Sequence, residues 1–360
     1  MTLRAAACAV FCVAVPPPAA PHATTVVIDV SVVDRKGVPV PGLTAADFSI
    51  VEDDRATRIT SVEPVTVSGD PGSAGGRVAV LFLDDATPSP TGEERQAKEI
   101  AGRLIDGLGP GDVAGVIFAA HPSGLQALTT DRAVLKAAVG RYRQRVGQWS
   151  TSSSDTGGRL TRGGYDRFDS AATALYRTTL QSLQRLIGRL AAVEDRRKAV
   201  VMISAGVPFA PPEPRKIATD DPTGTADEVL EDIRAVIRAA QRAKVTIYTV
   251  DPGGLRLASQ PLDDVASLNA EAPAPRVGAL GQANQAFLRS LSLNTGGFAT
   301  VNTNNTSAAA TAILRDLSGY YMVTFESDAT GDAFRSLTVR VNRPGVTVRA
   351  RPGYWPAGAR

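Results

Sequence analysis

Histidine and cysteine are scarce in this sequence, and each scarcity removes a class of chemistry. There are two histidines in 360 residues, with no H-E-x-x-H and no histidine–cysteine cluster, so a zinc site of the common N/S type has no ligands to draw on. Both cysteines, Cys8 and Cys12, fall in the opening stretch MTLRAAACAVFCVAV. The chain beyond them is therefore expected to lack disulfides and thiol chemistry. No later apolar run reaches the length of a membrane span. The 39 basic residues nearly balance the 36 acidic ones and are scattered, which argues against nucleic acid as the main partner. There is no G-x-S-x-G elbow and no phosphate-binding G-x-x-x-x-G-K-[ST] loop. The segment GPGDVAG (109–115) precedes a strand, so its glycines cannot seat a dinucleotide on a helix N-terminus.

What is present falls into four parts. Residues 1–23 combine one arginine, an apolar run and PPPAAPHA, the anatomy of a secretory signal peptide, and imply export to a periplasm or the exterior. Residues 24–67 read as short strands, led by the valine-rich TTVVIDVSVVD and followed by the glycine-rich linker 68–76. From Arg77 to about Leu317 strands and helices alternate. VAVLFLD, RKAVVMISAG and VTIYTVD are continuous apolar strands of the kind buried on both faces of a parallel sheet. The loops 146–169, 207–226 and 252–280 are long and polar or proline-rich. Residues 318–356 return to strands in GYYMVTFES, FRSLTVRVN and VTVRARPGYW. Three short strands bury little surface alone, so the two β-rich flanks are expected to pack together around the inserted α/β domain.

The central part resembles a von Willebrand factor A domain, carried by VAVLFLDDATPS, TALY (173–176), RKAVVMISAG and AKVTIYTVD. The whole chain is similar to the exported bacterial proteins called VWFA-related, which open with a segment like VVDRKGVPVPGLTAADFSIVEDD and close with one like LSGYYMVTFE…VTVRARPGYW. The resemblance implies a doubly wound, mostly parallel, Rossmann-like sheet set in a β-rich module. It also implies an adhesion-type domain whose Asp-x-Ser-x-Ser loop, threonine and second aspartate hold magnesium.

Residue by residue, that cation site is depleted. Asp84 is retained, Ala86 and Pro88 stand where the two serines would be, Thr173 fits the threonine, and the second aspartate falls at Ala205. A register shifted by one gives Asp85, Thr87 and Ser89, but such a shift turns side chains to the opposite face and leaves Ala205 as it is. Hard cations are held largely by carboxylates, so magnesium is expected to bind weakly if at all, with no other cofactor. Asp84 and Thr173 are then the remnant of the site. The expected function is a non-enzymatic protein-binding module, presenting loops at the carboxyl ends of its strands to a protein partner. Two alternatives stay open: a metal-dependent adhesion protein with an intact site, and a hydrolase using Asp84, Asp85 and His121.

Overall fold

The computed structural model describes residues 24–66, 76–87, 93–121, 127–145, 170–193, 196–207, 225–255, 277–329, 331 and 333–356. Residues 1–23, read from the sequence as a signal peptide, Ser89, the loop 146–169 and most of the loops 207–226 and 252–280 lie outside them.

Five parallel strands form the central sheet: β5 (Val78–Leu83), β6 (Val113–Phe118), β7 (Lys198–Ile203), β8 (Val245–Val250) and β9 (Ala299–Thr300). Their order is β6-β5-β7-β8-β9. Every residue of β5, β7 and β8 is buried, as a sheet covered on both faces requires. Alternate side chains supply the two cores. Val78, Val80, Phe82, Val200 and Met202 face α3 (Ser170–Leu190), α4 (Thr225–Arg242) and α5 (Val277–Leu293). Leu81, Leu83, Val201, Ile203 and Tyr248 face α1 (Glu94–Asp106), α2 (Arg132–Gly140) and α6 (Thr306–Ser318). The helices meet the sheet through apolar faces at helical spacing, such as Ala97, Ile100, Ala101, Leu104 and Ile105 of α1. Each fully buried aliphatic side chain contributes about 1.5–3 kcal/mol, so these two layers dominate the stability.

The flanks build two antiparallel sheets. β1 (Thr24–Val33), β4 (Ile59–Thr66), β10 (Gly319–Ser327) and β12 (Thr347–Arg349) are ordered β12-β1-β10-β4. β2 (Phe48–Glu52), β3 (Arg55–Thr57), β11 (Arg335–Val341) and β13 (Gly353–Tyr354) are ordered β13-β11-β2-β3. Residues from both sheets and both flanks share one core, with Ile28, Val30 and Val32 against Phe48, Ile50, Val323, Phe325 and Leu337. In β10 the buried positions alternate, with Tyr321, Val323 and Phe325 inward, the signature of a strand with one solvated face. Asp53 and Asp54 join β2 to β3 with φ of 43° and 65°, the left-handed pair a two-residue hairpin turn needs.

A buried charge cluster joins the β-rich flanks to the α/β part. Asp316 of α6 accepts from Arg349 of β12 at 2.7 Å and from the Tyr248 hydroxyl of β8 at 2.6 Å. Arg197, just ahead of β7, lies 3.6 Å from the same carboxylate, donates to the Asp316 carbonyl at 2.7 Å and to Ser31 of β1 at 3.2 Å, and stacks on Tyr320.

A second buried pair sits at the start of β5. The Arg77 Nε donates to Asp112 at 2.9 Å, and the amides of Gly109 and Arg77 donate to the same carboxylate. Burial pushes the Asp112 carboxyl up, but the Arg77 guanidinium and those amides outweigh it and hold it below its ordinary value. A carboxyl whose folded value is depressed stabilises the fold above its unfolded value, near pH 4, and that stability is lost as pH falls through the folded value. Melting temperatures followed downward from about pH 5 should fall more steeply for the wild type than for Asp112→Asn. Equal acid slopes would show that this pair does not contribute to acid denaturation.

Candidate functional site

The chain leaves β5 toward β6 on one side and returns to the other side at β7, so a crevice opens between the carboxyl ends of β5 and β7. Ligands of open α/β sheets gather at such a switch point. The register pairs Leu83 with Ile203 and Ile203 with Val250, so the next residues, Asp84, Ser204 and Asp251, form a row of strand ends.

Asp84 is 1% exposed, and both its carboxylate oxygens are engaged. Oδ1 accepts from the amides of Ala86 (3.2 Å) and Thr87 (3.0 Å) and from the Thr179 hydroxyl (3.0 Å). Oδ2 accepts from the Ser204 hydroxyl at 2.6 Å, a short charge-assisted bond. The Ser204 oxygen in turn accepts from the Gly206 amide at 3.0 Å. Gly206 has φ +88°, and a Cβ there would meet the Asn284 carbonyl oxygen at 2.6 Å, so glycine is required to turn this loop under α5. The Thr87 hydroxyl lies 3.4 Å from that of Thr179. Tyr142 donates to the Asp84 carbonyl at 2.9 Å. Burial, together with the Asp84 charge, pushes the Tyr142 phenol well above its ordinary value, which keeps it a donor.

The expected residues are redistributed. Asp84 sits in the crevice, but the threonine that meets it is Thr179, not Thr173. Helix α3 begins at Ser170, so Thr173 lies inside its first turns, six residues or roughly 9 Å of helix rise before Thr179. Thr87, from the shifted register, joins Asp84, from the unshifted one, because the loop curls back through the Ala86 and Thr87 amides. Asp85 points away: its Oδ1 accepts from the Ala120 amide at 2.6 Å and its Oδ2 lies 2.8 Å from His121 Nδ1. Adjacent residues of an extended chain face opposite ways, so Asp84 and Asp85 do not form one acidic pair. His121, which the hydrolase alternative sets beside both acids, is 76% exposed and is held by Asp85.

Ser204 and Thr179 escaped the sequence reading. The register of β5 against β7 could have pointed to Ser204, since it is the residue after an apolar strand matching Asp84. Asp251 also went unnoticed. Its carboxylate accepts from the Gly253 amide at 2.8 Å, and two strand spacings, roughly 9–10 Å, separate it from Asp84.

These residues do not fit a magnesium ion of the kind the resemblance implies. The crevice offers one carboxylate and three hydroxyls, Thr87, Thr179 and Ser204, while Ala205 and Ala86 supply no side-chain oxygen. Magnesium is held by hard, mostly charged oxygens, and the one carboxylate here already accepts from two amides and two hydroxyls. Among the described residues no group of three or more His, Cys, Asp or Glu is placed to hold a metal.

The fold and site together define an open α/β sheet with a buried, hydrogen-bonded carboxylate at its switch point. No family model matches the sequence, and no curated protein does. Among solved structures, the manganese-loaded TRAP protein of Plasmodium vivax is similar over 81% of this chain and 97% of its own, at 9% identity and a TM-score of 0.33. The human COPII-coat protein Sec24c is similar over 82% of this chain, which spans 46% of that protein's chain, at 10% identity and a TM-score of 0.31. Likenesses this distant assign no function.

Proposed function

We propose that the chain is a non-enzymatic, exported protein-binding module of von Willebrand factor A type with a degenerate cation site. It binds a protein partner through the loops at the carboxyl ends of its strands. The observation that carries this reading is the Asp84 carboxylate, whose two oxygens are taken by Ala86, Thr87, Thr179 and Ser204. A carboxylate so satisfied has no need of an ion, and a partner then engages the loops themselves. The signal-like residues 1–23 support export, and the resemblance of both flanks to VWFA-related proteins supports the family. No helix among the described residues is long and apolar enough to cross a membrane.

Affinity capture from secreted and envelope proteins, with residues 24–360 as bait, is expected to give the same partner in magnesium and in chelator. Capture that needs magnesium or manganese and disappears in Asp84→Ala would establish a metal-dependent adhesion protein instead.

One observation favours a hydrolase as second reading: the buried Asp85 carboxylate holds Nδ1 of the exposed His121, the geometry of an oriented general base. Among the described residues, Asp85 is the imidazole's one hydrogen-bond partner and no hydroxyl nucleophile bonds to it. Ester hydrolysis abolished by His121→Ala would decide for this reading.

A further inference from the structure

We infer that the cavity between the carboxyl ends of β8 and β9 is a socket for a primary ammonium group, a lysine side chain of the protein partner. This rests on the partner-binding reading above and names the group that the loop face recognises. The cavity has a volume of about 20 Å³, room for one group the size of a water molecule. It lies two strands along from Asp84, walled by the ends of β8 and β9 and by α1 and α6. Asp251 is the one charged residue of its wall, and it is 3% exposed. Thr300, Thr303, Asn304 and Gln96 line it too, and bring hydroxyl and amide oxygens. An ammonium carries three protons and one positive charge in about the volume of a water, so it matches one carboxylate among neutral acceptors. A guanidinium spreads the same charge over a plane of three nitrogens and is too broad for this volume.

The socket is built before anything enters it. The Asp251 amide donates to the Thr300 carbonyl at 2.9 Å, which ties the two strand ends together. The Asp251 carboxylate accepts from the Gly253 amide at 2.8 Å, and the Asn304 side chain accepts from the Leu255 amide at 2.7 Å, which ties the two loops. Gly254 has φ +67°, and a Cβ there would run into Asn304, so glycine is required. Such preorganisation lowers the ordering cost of binding. The N-terminus of α6, which would draw an anion, is capped by Asn305, whose side chain accepts from the Ala308 amide at 2.9 Å.

The test is a titration of the isotope-labelled protein with Nα-acetyl-lysine methylamide, read from the nuclear magnetic resonance shifts of the Gly253, Gly254 and Leu255 amides. These should move saturably at roughly millimolar concentration, the scale for one small side chain. Asp251→Asn should weaken the response at least about tenfold, as the ammonium loses its counter-charge. Gln96→Glu adds a second carboxylate to the wall and should strengthen it roughly threefold to tenfold. An acid suits that position in the first turn of α1, so this variant decides the matter even where Asp251→Asn does not fold. The Nε-acetylated probe and the arginine analogue should leave the amides unmoved. Shifts of equal size with either of these, or with acetate, would overturn the inference. So would no response to the lysine probe, the behaviour of a cavity that holds a water only. Sodium that moves the same amides at lower concentration would make the cavity an ion site and overturn it likewise. Chelator-sensitive capture of a partner by the wild type sinks the functional reading. Capture in chelator that is unchanged in Asp251→Asn sinks only the socket.

Discussion

Asp316→Ala is expected to lower folding stability by about 3–5 kcal/mol, the scale for removing one partner of a buried ion pair. The carboxylate is 1% exposed and faces Arg197, whose side chain is 4% exposed, so its loss leaves a buried guanidinium without the carboxylate 3.6 Å from it. The Tyr248 hydroxyl loses its acceptor at the same time. Arg349→Ala removes a partner of the same carboxylate whose side chain is 24% exposed, and should cost closer to about 1 kcal/mol. Chemical denaturation of the two single variants and the double variant measures the coupling between them. A loss below about 1 kcal/mol for Asp316→Ala would show that the cluster is solvated in solution and does not fasten the flanks to the α/β part.

Asp84→Ala is the second large effect, again about 3–5 kcal/mol, because it strands two hydroxyls and two amides in a buried crevice. Asp84→Asn keeps one acceptor oxygen and should lose only about 1–2 kcal/mol. Denaturation midpoints measured with and without magnesium separate two meanings of the result. A penalty indifferent to the cation marks Asp84 as a structural hub joining the ends of β5 and β7 to α3. A wild type stabilised by magnesium, with the benefit gone in both variants, would restore the carboxylate as a metal ligand.

The sequence shows its layers more readily than its site. Short apolar runs such as VAVLFL and VTIYTV are strands buried on both faces, and their length and β-branched content identify them. The valine alternation of the first flank and the tyrosine-led strand of the last each imply a half-buried sheet. Asp84 is legible too, as an acid closing an apolar strand. The threonine is not, because choosing between Thr173 and Thr179 requires knowing where α3 starts, and a helix start can shift by a turn without altering the apolar pattern. Ser204 is hidden for another reason. A motif comparison registers what is missing at Ala205, whereas the hydrogen bond from its neighbour follows from the alignment of two strands 120 residues apart. The sequence sets His121 beside both Asp84 and Asp85, but which of the two acids it meets follows only from the alignment of the ends of β5 and β6.

The pairing of Thr24 with Ser327 has a consequence for how the molecule comes into being. Closing a flexible segment of roughly 300 residues would cost several kcal/mol of chain entropy before any ladder bond formed. The inserted part relieves that cost once it has taken shape, since its first and last elements end side by side: Arg77, ahead of β5, donates to the Leu314 carbonyl of α6 at 3.2 Å. Loop-closure entropy therefore predicts that the middle of the chain matures first and the outer strands zip together last, an order that pulsed hydrogen exchange would read as earlier protection in β5, β7 and β8 than in β1 and β10.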